Sequence, residues 1–158
     1  MTAFNYQIIE DTAKELYIRA LKILPPDVRI ALKNAYERET NPTAKETFKI
    51  ILRNIEIADK DNVLICQDTG LPIYIVRIGS KFPIDGARVA AALKEGAKRA
   101  TLDHPFRGSS THPVTRVNPQ TSVGEGLPVI YWDFIGENNY LDLLMIPKGS
   151  GSENMSAM

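Results

Sequence analysis

The sequence predicts an α+β fold: an N-terminal helical group followed by a small mixed β-sheet with a covering helix. Three observations predict it. Apolar residues recur at three- and four-residue spacing through the N-terminal third of the chain. Short runs rich in Val, Ile and Tyr follow, bounded by turn residues. An Ala-rich helical pattern stands between those runs. With 158 residues the chain is long enough to bury a core, so residues 1–158 are expected to form a single domain.

The first helical stripe is Ala13, Leu16, Tyr17, Ala20, Leu21 and Leu24, and Pro25-Pro26 ends it. Asp27 then falls in the first turn of a second helix, where a carboxylate complements the positive end of the dipole. Val28, Ala31, Leu32, Ala35 and Tyr36 are its apolar face. Asn41-Pro42 restarts the pattern, with Asn as cap and Pro at the first helical position. Ala44, Phe48, Ile51, Leu52, Ile55 and Ala58 form the third stripe.

At Asp61-Asn62 the pattern changes. Val63–Cys66 is a short apolar run after a turn signal and predicts a buried strand. Gln67-Asp68-Thr69-Gly70 interrupts it, and a second strand begins after Pro72 and runs to Ile78. Asp85 to about Leu102 predicts a helix with Val89, Leu93, Ala97 and Ala100 inward. Residues 103–128 have little periodicity and many Pro, Ser, Thr and Gly, which predicts a long ordered loop of the functional kind. Val129–Ile135 and Tyr140–Ile146 predict a hairpin about Gly136-Glu137-Asn138-Asn139, apolar on both faces and so expected to be covered on both. Trp132 and Phe134 are core residues by default. The chain ends in Lys148–Met158, where the glycine-rich turn Lys148-Gly149-Ser150-Gly151 is expected to lead into a helix starting at Ser152-Glu153-Asn154.

Composition narrows the function classes. Nineteen basic residues balance nineteen acidic ones, which gives no electrostatic case for nucleic acid or an anionic membrane. No apolar run reaches the length of a membrane helix, and the N-terminus lacks the pattern of a signal peptide. A single cysteine forbids an internal disulfide and makes the cytoplasm the expected compartment. A small molecule or another protein is the expected partner.

Cys66-Gln67-Asp68-Thr69-Gly70 is the richest chemical motif. A turn at Gly70 can gather a thiol, an amide and a carboxylate about one cavity, where the thiolate holds a metal and Asp68 moves protons. The other reading is a buried cysteine before an ordinary Asp-Thr-Gly turn. His104 and His112, each beside a proline, read as polar loop histidines. Lys94, Lys98 and Arg99 read as a solvated helix face. The glycine-rich ending lacks the Gly-Lys-Ser/Thr finish of a phosphate-binding loop.

Asn62–Gly70 resembles the segment of class I fumarases, and of the alpha chains of two-subunit fumarate and L-tartrate dehydratases, that carries the first cluster cysteine. Phe106-Arg107-Gly108-Ser109-Ser110, with Pro113, Arg116 and Asn118, is similar to the family's arginine loop. Lys148–Asn154 is similar to its glycine-rich loop, with Ser150 in place of the middle glycine. The three segments stand in the family's order, and the resemblance spans nearly the whole chain, helical start included.

The resemblance implies a hydro-lyase acting on a C4 dicarboxylate, fumarate to L-malate in preference to L-tartrate. It implies a [4Fe-4S] cluster with an open iron as Lewis acid, Cys66 being one of three cysteine ligands and the other two lying outside this chain. Gln67 and Asp68 would line the substrate pocket, Asp68 assisting transfer of the C3 proton. Arg107, with Arg116 in reserve, would clamp a carboxylate. Gly151 would offer a backbone N–H to the substrate. The implied partners are the remaining alpha-chain portion, a beta subunit or domain, and further copies in a homo-oligomer. The competing expectation is a non-catalytic assembly piece, inert alone.

Overall fold

A computed structural model describes residues 4–66, 68–108, 110–149 and 151. The order is α1 (Gln7–Lys22), α2 (Pro26–Arg38), α3 (Pro42–Asp61), β1 (Leu71–Ile78), α4 (Gly86–Asp103), β2 (Val129–Phe134) and β3 (Leu141–Lys148), an α+β arrangement. Two compact units divide the chain: Arg19–Cys66 is one, and Met1–Ile18 with Gln67–Met158 is the other.

The first unit is helical. Pro25 precedes α2, and the Asn41 side chain caps α3 by accepting from the Thr43 and Ala44 amides at 2.9 and 3.2 Å. Arg29 joins α2 to α3 through a two-pronged contact with Asp59, at 2.7 and 3.2 Å. Ile55 and Ala58 are buried, yet α2 buries no residue, and Ile30, Ile50 and Ile57 are exposed.

α3 ends on Asn62 in the left-handed conformation, φ 52°. The next residues correct the expected strand. Val63–Cys66 pairs with no strand among the described residues. Its backbone is satisfied by helices instead: the Val63 amide donates to Ala58 O, the Ile65 amide donates to Leu21 O, and the Asn54 side chain donates to Ile65 O. The Ile65 amide and carbonyl are thus both engaged with helical partners rather than with a strand.

The second unit is built on the three-stranded mixed sheet, ordered β2-β1-β3, with β1 parallel to β2 and antiparallel to β3. The expected hairpin is therefore corrected: β2 and β3 flank β1 and do not pair with each other. Their connection passes over the end of β1, where the Ile135, Gly79 and Ser80 amides donate to Ile78, Tyr140 and Gly136 carbonyls. Alternation in β1 buries Tyr74, Val76 and Ile78 on one face. α4, capped by Asp85 on the Ala87 and Arg88 amides, carries its own buried stripe from Val89 to Ala100.

The α1–α4 crossing is close because position 96 has no side chain: a methyl group on Gly96 would sit 2.4 Å from Glu10 O. Lys94 is exposed and Lys98 half-exposed, as expected of a solvated face, and beside them lies the part-exposed Arg99. It pairs with Glu10 and Asp11 of α1 at 2.5 and 2.7 Å, and Lys14 pairs with Asp103 beside it. The expectation that both sheet faces are covered is corrected too. Tyr131, Leu144 and Ile146, on the face away from α4, are 41–59% exposed. Trp132 lies near Gly86 of α4 but stays 38% exposed, and Phe134 is 77% exposed, so neither is a core residue of this chain.

Candidate functional site

The order of construction starts with Tyr17. It lies on α1 in the same unit as the sheet and is fully buried. Its hydroxyl stands 3.2 Å from both Thr69 O and Gly70 O, donating into the turn that precedes β1. Asp68 folds that turn from within, its Oδ1 accepting the Gly70 amide at 3.1 Å. Gly70 has φ +66°, and a methyl group there would stand 2.6 Å from Lys148 O and 3.1 Å from Gly149 N. The Asp68 turn thus lies directly against the glycine-rich turn after β3. The antiparallel register makes this contact, since Leu71 pairs with Lys148.

The arginine loop joins the same place. Thr69, 1% exposed, donates its hydroxyl to Arg107 O at 2.6 Å. The Phe106 ring meets Tyr17 edge-on with centroids 5.3 Å apart. Gly108 is wedged against the Gln120 backbone, and Asn118 donates to Gly108 O at 3.1 Å. Ser110 donates to Thr121 O and stands at the same 2.7 Å from Val123 O. Residues 104–128 hold no helix or strand among those described, and these bonds order the segment, as expected for a long ordered loop.

Three segments far apart in sequence therefore meet in one unit: Asp68-Thr69-Gly70, Phe106-Arg107-Gly108 and Lys148-Gly149. Asp68 is half-buried, and Arg107 presents an exposed side chain from a backbone fixed on both flanks. Gly151 is exposed, with open space where a side chain would be. Arg116 is also exposed, on a left-handed backbone with φ 60°. Gln67 and the helix expected from Ser152 lie outside the described residues. Cys66 belongs to the helical unit and has an exposed side chain, directly after the doubly tied Ile65. The thiol is not sealed in hydrocarbon, so a soft metal can reach it. Among the described residues no group of three His, Cys, Asp or Glu side chains is arranged to hold a metal.

The histidines serve the loop. His112 Nδ1 accepts from the Val114 and Thr115 amides at 3.2 and 3.1 Å, and His104 stacks obliquely near Phe106. No helix among the described residues is long and apolar enough to cross a membrane.

Tyr17 is the residue that sequence reasoning missed, having counted it as apolar stripe. A tyrosine on a buried helix face needs a partner for its hydroxyl, and that was the available signal. Burial, with the nearby Asp68 charge adding to it, pushes the Tyr17 phenol up from 10.0 to about 12. Below pH 10 the phenol is neutral in folded and unfolded chains alike, and its contribution to stability is fully present. Between about pH 10 and 12 the unfolded chain releases the proton while the folded one keeps it, so that contribution is lost as pH rises. Urea unfolding across this interval, with tyrosinate absorbance followed in parallel, should show a decline to which the buried Tyr74 phenol, also held above its usual value, adds its own share, and Tyr17→Phe should remove roughly 2–3 kcal/mol of it. A Tyr17 that ionises with the exposed tyrosines would contradict this.

Comparison with known proteins shows the family. The family described as "Fumarate hydratase (Fumerase)" matches residues 10–158. A Methanocaldococcus jannaschii protein named "Putative L(+)-tartrate dehydratase subunit alpha" is 40% identical over 152 residues, covering 95% of this chain and 53% of its own length. The "Putative fumarate hydratase class I" of Geobacillus stearothermophilus is 35% identical over 150 residues, 94% of this chain and 27% of that protein. The "L(+)-tartrate dehydratase subunit alpha" of Escherichia coli K12 is 30% identical over 128 residues, 81% and 42% respectively. The chain spans about half the length of the first of these relatives and less of the others.

Proposed function

The chain belongs to the fumarate hydratase (Fumerase) family, and from that membership we propose that it forms one part of a hydro-lyase active site. In the intact protein that site adds water reversibly across the double bond of a C4 dicarboxylate, fumarate to L-malate. The observation that carries this reading is the convergence of the Asp68 turn, the Arg107 loop and the Lys148-Gly149 turn on one place.

Each residue has a task there. Arg107 grips one substrate carboxylate with its planar fork, and Arg116 is the alternative clamp. The Gly151 N–H approaches a carboxylate where no side chain intervenes. Gln67 offers amide hydrogen bonds. Asp68, oriented by its bond from the Gly70 amide, assists transfer of the C3 proton directly or by activating a hydroxyl outside this chain.

The exposed Cys66 thiol fits a [4Fe-4S] cluster as one of three cysteine ligands, the other two coming from outside residues 1–158. When bound, such a cluster supplies a Lewis-acidic iron for the substrate hydroxyl. One thiolate cannot hold a cubane, so residues 1–158 alone are inert and act as an assembly piece. The partners are the remainder of the alpha chain, a beta subunit or domain, and further copies of the enzyme. The cytoplasm is the compartment.

A second reading takes L-tartrate as substrate, producing oxaloacetate. The names of the M. jannaschii and E. coli relatives favour it. The test is anaerobic reconstitution of the full-length protein and its partner with iron and sulfide. The expected result is turnover of fumarate with a higher kcat/KM than L-tartrate. The reverse order selects the second reading, and turnover of neither removes both. A stable cubane and hydration by residues 1–158 alone would contradict the division of ligands.

A further inference from the structure

We propose that Thr69 is a positioning residue that sets the carboxylate clamp, and that Tyr17 holds Thr69 in place to do so. The proposal rests on the assignment of Arg107 to a substrate carboxylate and names what fixes that arginine. Arg107 itself is exposed, so its aim must come from its backbone.

That backbone has one side-chain bond from the Asp68 turn, the Thr69 hydroxyl to Arg107 O at 2.6 Å. Thr69 is 1% exposed, so its own hydroxyl is held away from bulk water and committed to this bond. The threonine is itself pinned from below, where the Tyr17 hydroxyl stands 3.2 Å from Thr69 O and from Gly70 O. The Tyr17 ring also receives the edge of Phe106, the residue before Arg107. One buried tyrosine therefore touches both segments, and one hydroxyl ties them together. The Asp68 turn and the arginine loop cannot shift independently while both bonds stand. A displacement of about 1 Å at such a clamp is enough to lose its two-pronged grip.

Valine has nearly the shape of threonine without the donor, and serine keeps the donor without the methyl group. In the full-length, reconstituted enzyme, Thr69→Val should raise KM for the C4 dicarboxylate about tenfold, with kcat falling less than about threefold. Thr69→Ser should recover most of that loss. Tyr17→Phe, which keeps the ring against Phe106, should raise KM in the same direction by a smaller factor.

Hydrogen exchange of the 104–108 segment supplies a readout independent of turnover. It should quicken about tenfold in Thr69→Val and stay near the parent rate in Thr69→Ser. If the parent enzyme turns over no C4 dicarboxylate, the hydro-lyase reading fails, and exchange still decides whether Thr69 holds the loop. If Thr69→Val does not fold, Tyr17→Phe carries the same two measurements. Parent-like KM and exchange in the folded variant, or a Thr69→Ser as impaired as Thr69→Val, overturns the proposal.

Discussion

Cys66→Ala in the full-length protein is expected to lower hydration of the C4 dicarboxylate by on the order of a thousandfold, equivalent to about 4 kcal/mol of transition-state stabilisation. The visible absorption of the reconstituted cluster should fall with it. Cys66 has an exposed side chain, so its truncation should cost folding less than about 1 kcal/mol. The two effects are therefore separable. Thermal unfolding of the cluster-free protein should be nearly the same with and without the thiol, while activity and colour are lost. Full activity in the alanine variant would remove Cys66 from the ligand set and, with it, the iron–sulfur reading.

Gly70→Ala should have a large effect on the fold around the site. The position has φ +66°, where an L side chain costs about 1–2 kcal/mol. The added methyl group would also stand 2.6 Å from Lys148 O, and backbone on both sides leaves nothing flexible to yield. Overpacking of this kind costs a further 1–3 kcal/mol or so. A loss of roughly 2–5 kcal/mol should appear as a thermal midpoint lowered by several degrees, together with loss of turnover. The loss of turnover follows because relief of the clash separates the Asp68 turn from the Lys148-Gly149 turn. An alanine variant with parent-like midpoint and turnover would show that the contact is dispensable.

Much of the fold was legible where a local signal decides it. Asn41-Pro42 and Asp85 carry caps and helix-start chemistry, and both helices begin there. The β-branched and aromatic run Ile73–Ile78 after Pro72 marks a strand by composition, and its burial alternates as a strand's does. Pairing was not legible. The run from Val129 and the run from Leu141 flank a turn, as a hairpin does, but period-two patterning cannot say that β1 takes the place between them. Val63–Cys66 looked like a strand since short apolar runs are ambiguous, and the Asn54 side chain and Leu21 carbonyl settled it by taking Ile65's backbone. Trp132 and Phe134 were placed inside by residue type, although this chain supplies nothing to cover much of their surface.

The site divides in the same way. That the Asp68-Thr69-Gly70, Arg107 and Lys148 segments belong together was legible from their order and family resemblance. What brings them together was not, because Tyr17 looks like any other stripe residue and Thr69 like any other turn residue. Their hydrogen bonds cross long stretches of sequence, and no local pattern encodes such a contact.

The position of β1 governs when the site can exist during synthesis. Both its neighbours lie downstream in the chain, and the turn at Gly70 finds its wall only where Leu71 pairs with Lys148. A ribosome emits the α1–α3 region and the cysteine long before that wall emerges. Closing so wide a loop is slow, and until it closes the central strand carries two unsatisfied edges. The emerging polypeptide thus exposes its thiol before the Gly70 turn meets Lys148. A factor acting on the nascent chain would meet the Gly70 turn before that contact is built.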